Sequence, residues 1–113
     1  MPAYIIARVD VTDPTQYAQY TARTPRVVAH FGGRFIVRGA ATATLEGADE
    51  TRRVVVIEFP TLEQAQAFYA SEQYQVVKAL RAGAADGQFL LFDGYPDASW
   101  AEAVRTSQAL PAD

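Results

Sequence analysis

The sequence contains no cysteine and only one histidine. Without cysteine the chain cannot form disulfide bonds, thiolate metal sites or cysteine nucleophiles. A single histidine cannot supply the paired imidazoles of a common zinc site. The pair Gly32-Gly33 lacks the rest of a phosphate-binding loop or dinucleotide fingerprint, and no serine has the context of a nucleophile elbow. These absences argue against hydrolase, kinase and dehydrogenase mechanisms, and we expect no metal and no cofactor.

Long hydrophobic runs and dense basic runs are also lacking. No apolar stretch approaches the roughly 20 residues that cross a bilayer. The basic residues are scattered and the formal net charge is −3, so the electrostatic footprint of a nucleic-acid-binding protein is missing. The first residues read as a strand, with no basic and apolar leader before it. We therefore expect a cytoplasmic protein with no nucleic-acid or membrane partner.

What is present is an ordinary globular composition, with half the residues hydrophobic and a fifth charged. We predict one α+β domain over residues 1–95 and a C-terminal tail over residues 96–113. Ser99 and Glu102 have the spacing of a capping box, which predicts a short helix in the tail carrying Trp100 and Val104.

Strand and helix signals alternate in the order β-α-β-β-α-β. The predicted strands are Ala3 to Val11, Arg34 to Gly39, Arg53 to Phe59 and Gln88 to Phe92, with Ala40 to Leu45 as an open continuation of the second. The first helix begins near Pro14, is broken at Pro25 and ends at Gly32-Gly33. The second begins after Thr61 and is capped again at Ser71 before it ends near Arg81.

This order is typical of the ferredoxin-like fold, a four-stranded antiparallel sheet with two helices on one face. Three strands, however, are apolar on both faces: Ile5-Ile6, Val54 to Ile57 and Phe89 to Phe92. The helices cover one face, and the other would expose more apolar surface than a soluble monomer usually tolerates. We therefore predict a homodimer through the open sheet face. The C-terminal tail is the alternative cover.

Three stretches of the chain are distinctive when they are taken together: Gly32 to Gly39, Val56 to Pro60 and Ala67 to Tyr74. Leu80 to Gly83, and Asp13-Pro14 with Tyr17, extend it. Together they resemble an uncharacterised bacterial family, the domain-of-unknown-function family number 1330, over roughly Ala3 to Gly94.

The resemblance implies a dimeric α+β barrel and no established reaction. The wider superfamily is similar in fold to cofactor-free monooxygenases, muconolactone isomerases, haem-degrading enzymes, polyketide cyclases and small stress-response proteins. Fold alone does not select among these activities. The tail beyond Tyr95 departs from the compact family pattern.

Arg8, Arg38 and Glu58 lie in strands that are otherwise apolar, so their charges need partners. In the ferredoxin-like order the third strand lies between the first and the second, which would let both arginines reach Glu58. One interpretation is a structural salt bridge between strands. The other is an anion clamp with a carboxylate base, which makes these residues catalytic candidates.

His30 is the fourth catalytic candidate, as a general base or a haem ligand, although an exposed surface histidine fits its position as well. Aromatic residues on the helices and the second strand could line a pocket or simply fill the core. These candidate ligand-binding residues are Tyr17, Tyr20, Phe31, Phe35, Phe68, Tyr69 and Tyr74.

Two functions remain open from the sequence. One is a cofactor-independent isomerase, cyclase or oxygenase acting on a small organic or aromatic metabolite, with Glu58 or His30 moving a proton. The other is a non-catalytic ligand-binding or stress-associated dimeric protein, in which the same pocket binds without conversion or is filled by side chains. A roomy cavity with an unpaired carboxylate favours the enzyme, and a closed core with a fully paired Glu58 favours the alternative.

Overall fold

The computed structural model describes residues 1–111, so the last two residues of the predicted tail lie outside it. Its strands are β1 Ala3–Val11, β2 Arg34–Arg38, β3 Arg53–Phe59 and β4 Ala85–Asp93. Its helices are α1 Pro14–Thr21, α2 Thr24–His30, α3 Leu62–Ala70, α4 Glu72–Ala79 and α5 Asp97–Thr106.

Three helices begin at side-chain caps that the sequence predicts. The side-chain oxygens of Asp13, Thr61 and Ser71 each accept a hydrogen bond from the backbone N–H three residues later, at 3.0–3.1 Å. Such a cap satisfies a backbone donor that the first helical turn leaves free, and is worth about 1 kcal/mol. These caps fix where α1, α3 and α4 start, and therefore which helical faces meet the sheet.

Three predicted boundaries differ from the structure. The stretch from Ala40 to Leu45 is not a strand, because the chain turns at Gly39, whose φ is +63°. β4 starts before Gln88, since its pairing with β1 continues as far as Val11. The tail helix starts earlier than Ser99, with Pro96 as its N-cap residue.

The sheet is antiparallel with the order β2-β3-β1-β4, which confirms the ferredoxin-like α+β fold. Alternate residues of β1 are buried, from Ala3 to Val9, because they face the layer formed by the helices. The centre of the contact between the layers is aromatic. The ring of Phe68 lies 5.1 Å from that of Phe59 and 4.7 Å from that of Tyr74.

The opposite face of the sheet is apolar and uncovered. Leu90 and Phe92 of β4, which pair with Ile6 and Tyr4 of β1, keep 42% and 48% of their surface exposed. Val37 of β2 is also exposed on this face. We call this surface the open face. Helix α5 leaves this face exposed, and none of its own residues is buried.

Two adjacent valines of α4 provide a matched test of this layer arrangement. Val77 is 7% exposed and packs in the core, whereas Val76 is 70% exposed. We expect Val77→Ala to lower the free energy of unfolding by about 2 kcal/mol, because it leaves a cavity. Val76→Ala should change it by less than about 0.5 kcal/mol. Urea denaturation monitored by circular dichroism measures both, and equal effects would contradict the assigned helix orientation.

Candidate functional site

Two concave sites lie on the helix side of the sheet. The first, here called the inner cavity, lies between the sheet and helices α1 and α2 and has a volume of about 20 Å³. The second, the β4 groove, is an open apolar groove of about 350 Å³ between α3 and β4. Phe89 lines both, so its ring separates them.

The inner cavity has apolar walls and a small set of polar groups. The apolar walls come mainly from the sheet, and the polar groups come from α1, α2 and the ends of β2 and β3. These polar groups belong to Tyr17, Tyr20, Thr21, Thr24, Arg38 and Arg53. Apolar surface with a few convergent polar groups is the usual composition of a small-molecule site.

A buried pair of phenols lies beside the cavity. The hydroxyls of Tyr20 and Tyr74 are 2.8 Å apart, and Arg81 Nη2 lies 3.4 Å from the Tyr74 oxygen, where it can donate. Burial raises the pKa of Tyr20 well above its ordinary value, and the neighbouring Tyr74 adds to the rise. Tyr20 therefore stays protonated, and either hydroxyl of the pair can donate to the other.

Tyr17 is the third tyrosine at this site, and its ring centre lies 5.4 Å from that of Tyr20. Burial raises the pKa of Tyr17, and the positive charge of Arg53 opposes part of that rise. Both tyrosines that line the cavity are thus neutral hydroxyls near neutral pH, able to donate or accept a hydrogen bond.

Arginines surround this group. The Arg38 guanidinium lies 4.6 Å from the centre of the Phe35 ring, and its Nη2 donates to the Thr21 carbonyl at 2.7 Å. The guanidinium of Arg53 lies over Gly39, where a Cβ atom would overlap it. Gly39 therefore meets two requirements, a positive φ and the close approach of this side chain.

Arg81 approaches the site from behind the phenols. Its guanidinium lies 5.2 Å from the ring centre of Tyr20 and 4.6 Å from that of Phe89. Burial disfavours its charge, but hydrogen bonding to Tyr74 keeps the pKa of Arg81 above its ordinary value. Arg81 is therefore a permanent positive charge beside the two cavity-lining rings.

The predicted contacts of Glu58 are wrong. Glu58 lies on the open face and accepts a hydrogen bond from Arg34 Nε at 3.0 Å. Arg8 shares this face, but in register Glu58 pairs with Tyr4, four residues away along β1 and roughly 13 Å distant at a strand rise of about 3.3 Å per residue. Arg8 instead pairs with Glu50 at 2.6 Å, and this hydrogen bond lowers the pKa of Glu50.

A one-residue irregularity explains why Arg38 also misses Glu58. Phe35 pairs with Ile57 and Arg34 with Glu58, but the register then shifts between Phe35 and Val37. Without the shift, Arg38 would lie on the open face with Arg34, because side chains alternate along a strand. With it, Arg38 pairs with Val55 and lines the inner cavity instead.

The other predicted site residues fall into separate groups. His30 is exposed, with its ring 5.1 Å from that of Phe31, and does not line either concave site. Phe31 packs against Phe68 at 6.1 Å, and Tyr69 lines the β4 groove. The predicted residues that line the inner cavity are Tyr17, Tyr20, Phe35, Phe68 and Arg38.

Sequence reasoning missed Arg53 and Arg81. Arg53 alternates with Val55 and Ile57, which are buried against the helices, so its position in β3 already indicated the helix side. Arg81 follows the last turn of α4, and no sequence signal placed it against Tyr20. Among residues 1–111, no group of three His, Asp or Glu side chains could hold a metal ion.

The family assignment comes from comparison with known proteins. The model of a domain of unknown function, DUF1330, matches residues 2–95, so the chain belongs to this family. No curated protein matches the sequence. No helix within residues 1–111 is long and apolar enough to cross a membrane.

Solved structures share the fold at low identity. A protein of unknown function from Rhodopseudomonas palustris is 20% identical, with a TM-score of 0.66 over 84% of this chain and 83% of that one. SnoaB, a cofactor-independent oxygenase from Streptomyces nogalater, is 15% identical, with a TM-score of 0.61 over 84% and 94%. A dimeric ferredoxin-like protein of unknown function from Thermobifida fusca is 18% identical, with a TM-score of 0.56 over 82% and 91%.

The buried phenol of Tyr20 should make the protein sensitive to alkali. Above pH 10, Tyr20 loses its proton in the unfolded chain but keeps it in the fold, because burial raises its pKa there. The folded state then holds more protons, so stability falls as pH rises, by up to about 1.4 kcal/mol per pH unit.

Denaturation at pH 9 to 11.5 should therefore give a shallower loss of stability for Tyr20→Phe than for the wild type. Tyr95→Phe, at an exposed position, is the control and should keep the wild-type slope. Identical slopes for all three proteins would contradict the buried, protonated state of Tyr20.

Proposed function

We propose that this protein handles a small organic or aromatic metabolite in the inner cavity, as a cofactor-independent isomerase, cyclase or oxygenase. The observation that carries the proposal is the composition of the cavity, in which the hydroxyls of Tyr17 and Tyr20 and the guanidinium groups of Arg38 and Arg53 converge on apolar walls. The likeness in fold to the oxygenase SnoaB agrees with this role, although fold does not determine reaction.

The phenol pair is the proposed hydrogen-bonding group for the reacting oxygen. Tyr20 lines the cavity, and its hydroxyl is hydrogen-bonded to that of Tyr74 at 2.8 Å. When Tyr74 donates to the Tyr20 oxygen, Tyr20 can donate its own hydrogen bond to a metabolite oxygen on which negative charge develops, and its raised pKa keeps it a donor rather than an acid. The charge of Arg81, within reach of the Tyr74 oxygen, polarises Tyr74 and strengthens it as a donor.

This arrangement assigns no proton transfer to two of the original candidates. Glu58 lies on the opposite face of the sheet, in an ion pair with Arg34. His30 is exposed and stands apart from the cavity. Arg8 is likewise held by Glu50 on the open face. Of the predicted catalytic residues, only Arg38 keeps a role in the proposed site.

A non-catalytic role is the second candidate, and two observations favour it. A cavity of about 20 Å³ has room for little more than a water molecule or two, whereas ligand pockets usually span about 300–1,000 Å³. Glu58, the carboxylate that an enzyme would need unpaired, is paired with Arg34. On this view the pocket is largely filled by side chains, and the protein is a non-catalytic, stress-associated dimer.

The assembly we propose is a homodimer through the open face. Leu90, Phe92 and Val37 are exposed there, and burying them against a second copy would remove a contiguous apolar surface from water. The fold neighbour from Thermobifida fusca is described as dimeric, which agrees with this assembly. A two-fold axis would bring identical surfaces together.

A charge placed on the open face should separate the two copies. We expect Leu90→Arg to be monomeric, because the arginine would be buried unpaired at the interface. Leu45→Arg introduces the same charge at a position that is 93% exposed and should remain dimeric like the wild type. Light scattering coupled to size exclusion measures the mass. A monomeric wild type would refute the proposed dimer.

Turnover can be tested with small probes and no added cofactor. We would incubate the protein in air with hydroquinone, 2-naphthol, 4-hydroxybenzoate and phenylpyruvate, following oxygen consumption and products by mass spectrometry. For any probe that is converted, Tyr20→Phe should lower the rate by about 100-fold or more, since it removes the proposed hydrogen-bond donor to the reacting oxygen. Tyr95→Phe serves as the exposed control.

The outcomes separate the two candidate functions. Conversion that Tyr20→Phe abolishes supports the enzyme. Binding of a probe without conversion, seen by native mass spectrometry, favours the non-catalytic role. Conversion that is equally fast in Tyr20→Phe would refute the assignment of the phenol pair.

A further inference from the structure

The arginines at the inner cavity have no carboxylate partner. Arg8, Arg34, Arg52 and Arg105 are each held in an ion pair with a glutamate. Among residues 1–111, five arginines make no such pair. Arg23 and Arg26 are exposed and line neither concave site, whereas the other three, Arg38, Arg53 and Arg81, lie at the inner cavity. A chain with thirteen acidic and ten basic side chains has carboxylates to spare, yet supplies none here.

The residues that line the cavity carry only positive charge. Of residues 1–111, no aspartate or glutamate lines it, whereas Arg38 and Arg53 do. Arg81 lies against Phe89 and Tyr20, which line it as well. The cavity is therefore a local positive site in a protein whose net charge is −3.

Two donors at this site also lack acceptors. Within the described part of the chain, the buried Nε atoms of Arg53 and Arg81 have no hydrogen-bond partner. Leaving a buried charged donor unsatisfied destabilises a fold. Such a donor calls for an explanation, and an acceptor that a bound molecule supplies is one.

The absence of a side chain at Gly39 makes room for Arg53. The Arg53 guanidinium occupies the space that a Cβ atom at residue 39 would fill. Arg38, which is exposed although it lines the cavity, stands on the solvent side. An incoming group would therefore meet Arg38 first and Arg53 deeper in.

We propose that the inner cavity recognises the carboxylate of an organic anion, so that the metabolite handled there is a carboxylic acid with an apolar or aromatic body. This inference rests on the proposed small-molecule function and specifies its substrate class. Guanidinium groups bind carboxylates through paired, charge-assisted hydrogen bonds. A space of about 20 Å³ is sized for such a small polar group rather than for the whole molecule.

The body of the ligand then lies toward the mouth of the cavity. Phe35, under the Arg38 guanidinium at 4.6 Å, offers an aromatic surface there. Tyr17 and Tyr20 contribute hydroxyls that can donate to a carboxylate oxygen that the arginines leave free. The acid group is thus bound by charge, and the remainder by apolar contact.

A set of probes that differ in one group tests the charge preference. Benzoate, benzyl alcohol, benzylamine and phenyl phosphate share a phenyl body and carry an acid, a neutral hydroxyl, a cation and a phosphate. We expect benzoate to bind about 10- to 100-fold more tightly than benzyl alcohol in calorimetric titration, because charge-assisted hydrogen bonds are worth about 1.5–3 kcal/mol.

Variants of the cavity arginines locate the effect. Arg53→Gln should lower benzoate affinity about 10-fold or more and leave benzyl alcohol binding unchanged, since one charge-assisted contact is lost. Arg38→Gln, at an exposed position that tolerates substitution, should act in the same direction and replaces Arg53→Gln if that variant fails to fold. Arg105→Gln, in α5, is the matched control and should bind benzoate like the wild type.

The results distinguish the carboxylate inference from the proposed small-molecule function. Equal affinity for benzoate and benzyl alcohol would overturn the carboxylate inference but leave the small-molecule function standing. A preference for benzylamine or phenyl phosphate would likewise overturn the carboxylate assignment. Failure of all four probes to bind would overturn both. Loss of benzoate preference in Arg105→Gln as well would show that the effect is not located at the cavity.

Discussion

The packing of Phe68 between Phe59 of the sheet and Tyr74 of the next helix joins the two layers of this protein. Phe68 and Tyr74 are almost completely buried, with ring centres 4.7 Å apart. This contact fixes the height at which α3 and α4 lie over the sheet, and it holds the Tyr74 hydroxyl against that of Tyr20. The phenol pair and the arginine behind it therefore depend on an aromatic contact that does no chemistry itself.

The helices form a single layer, so the two faces of the sheet have different surroundings. Charges on the open face find partners there: Arg8 with Glu50, and Arg34 with Glu58. On the helix side, within residues 1–111, Arg38, Arg53 and Arg81 have no acidic partner, and Arg38 and Arg81 contact phenols and aromatic rings instead. The same residue type thus forms ion pairs on one face and lies at the inner cavity on the other.

Much of this architecture follows from local sequence signals. The helix caps at Asp13, Thr61 and Ser71 predicted three helix starts, since each supplies an acceptor to the same backbone donor. The order of elements predicted the sheet, and apolar residues on both faces of the strands predicted an uncovered surface. These features depend on residues close together in the chain.

The contacts of the charged residues could not be predicted in the same way, because they depend on strand register. Glu58 faces Arg34 rather than Arg8 because β1 and β3 pair Glu58 with Tyr4. No residue of either strand signals that alignment by itself. Arg81 illustrates a different limit, since its contact with Tyr20 joins two helical segments far apart in sequence.

The register shift in β2 also affects how relatives of this protein should be compared. One additional residue between Phe35 and Val37 moves Arg38 from the open face to the cavity. A homologue that lacked this residue would present an arginine at the equivalent position to the opposite side of its sheet. An alignment that matches arginine to arginine across that difference would therefore equate a side chain that lines the cavity with one on the opposite face of the sheet, and a role transferred on that basis would be assigned to the wrong residue.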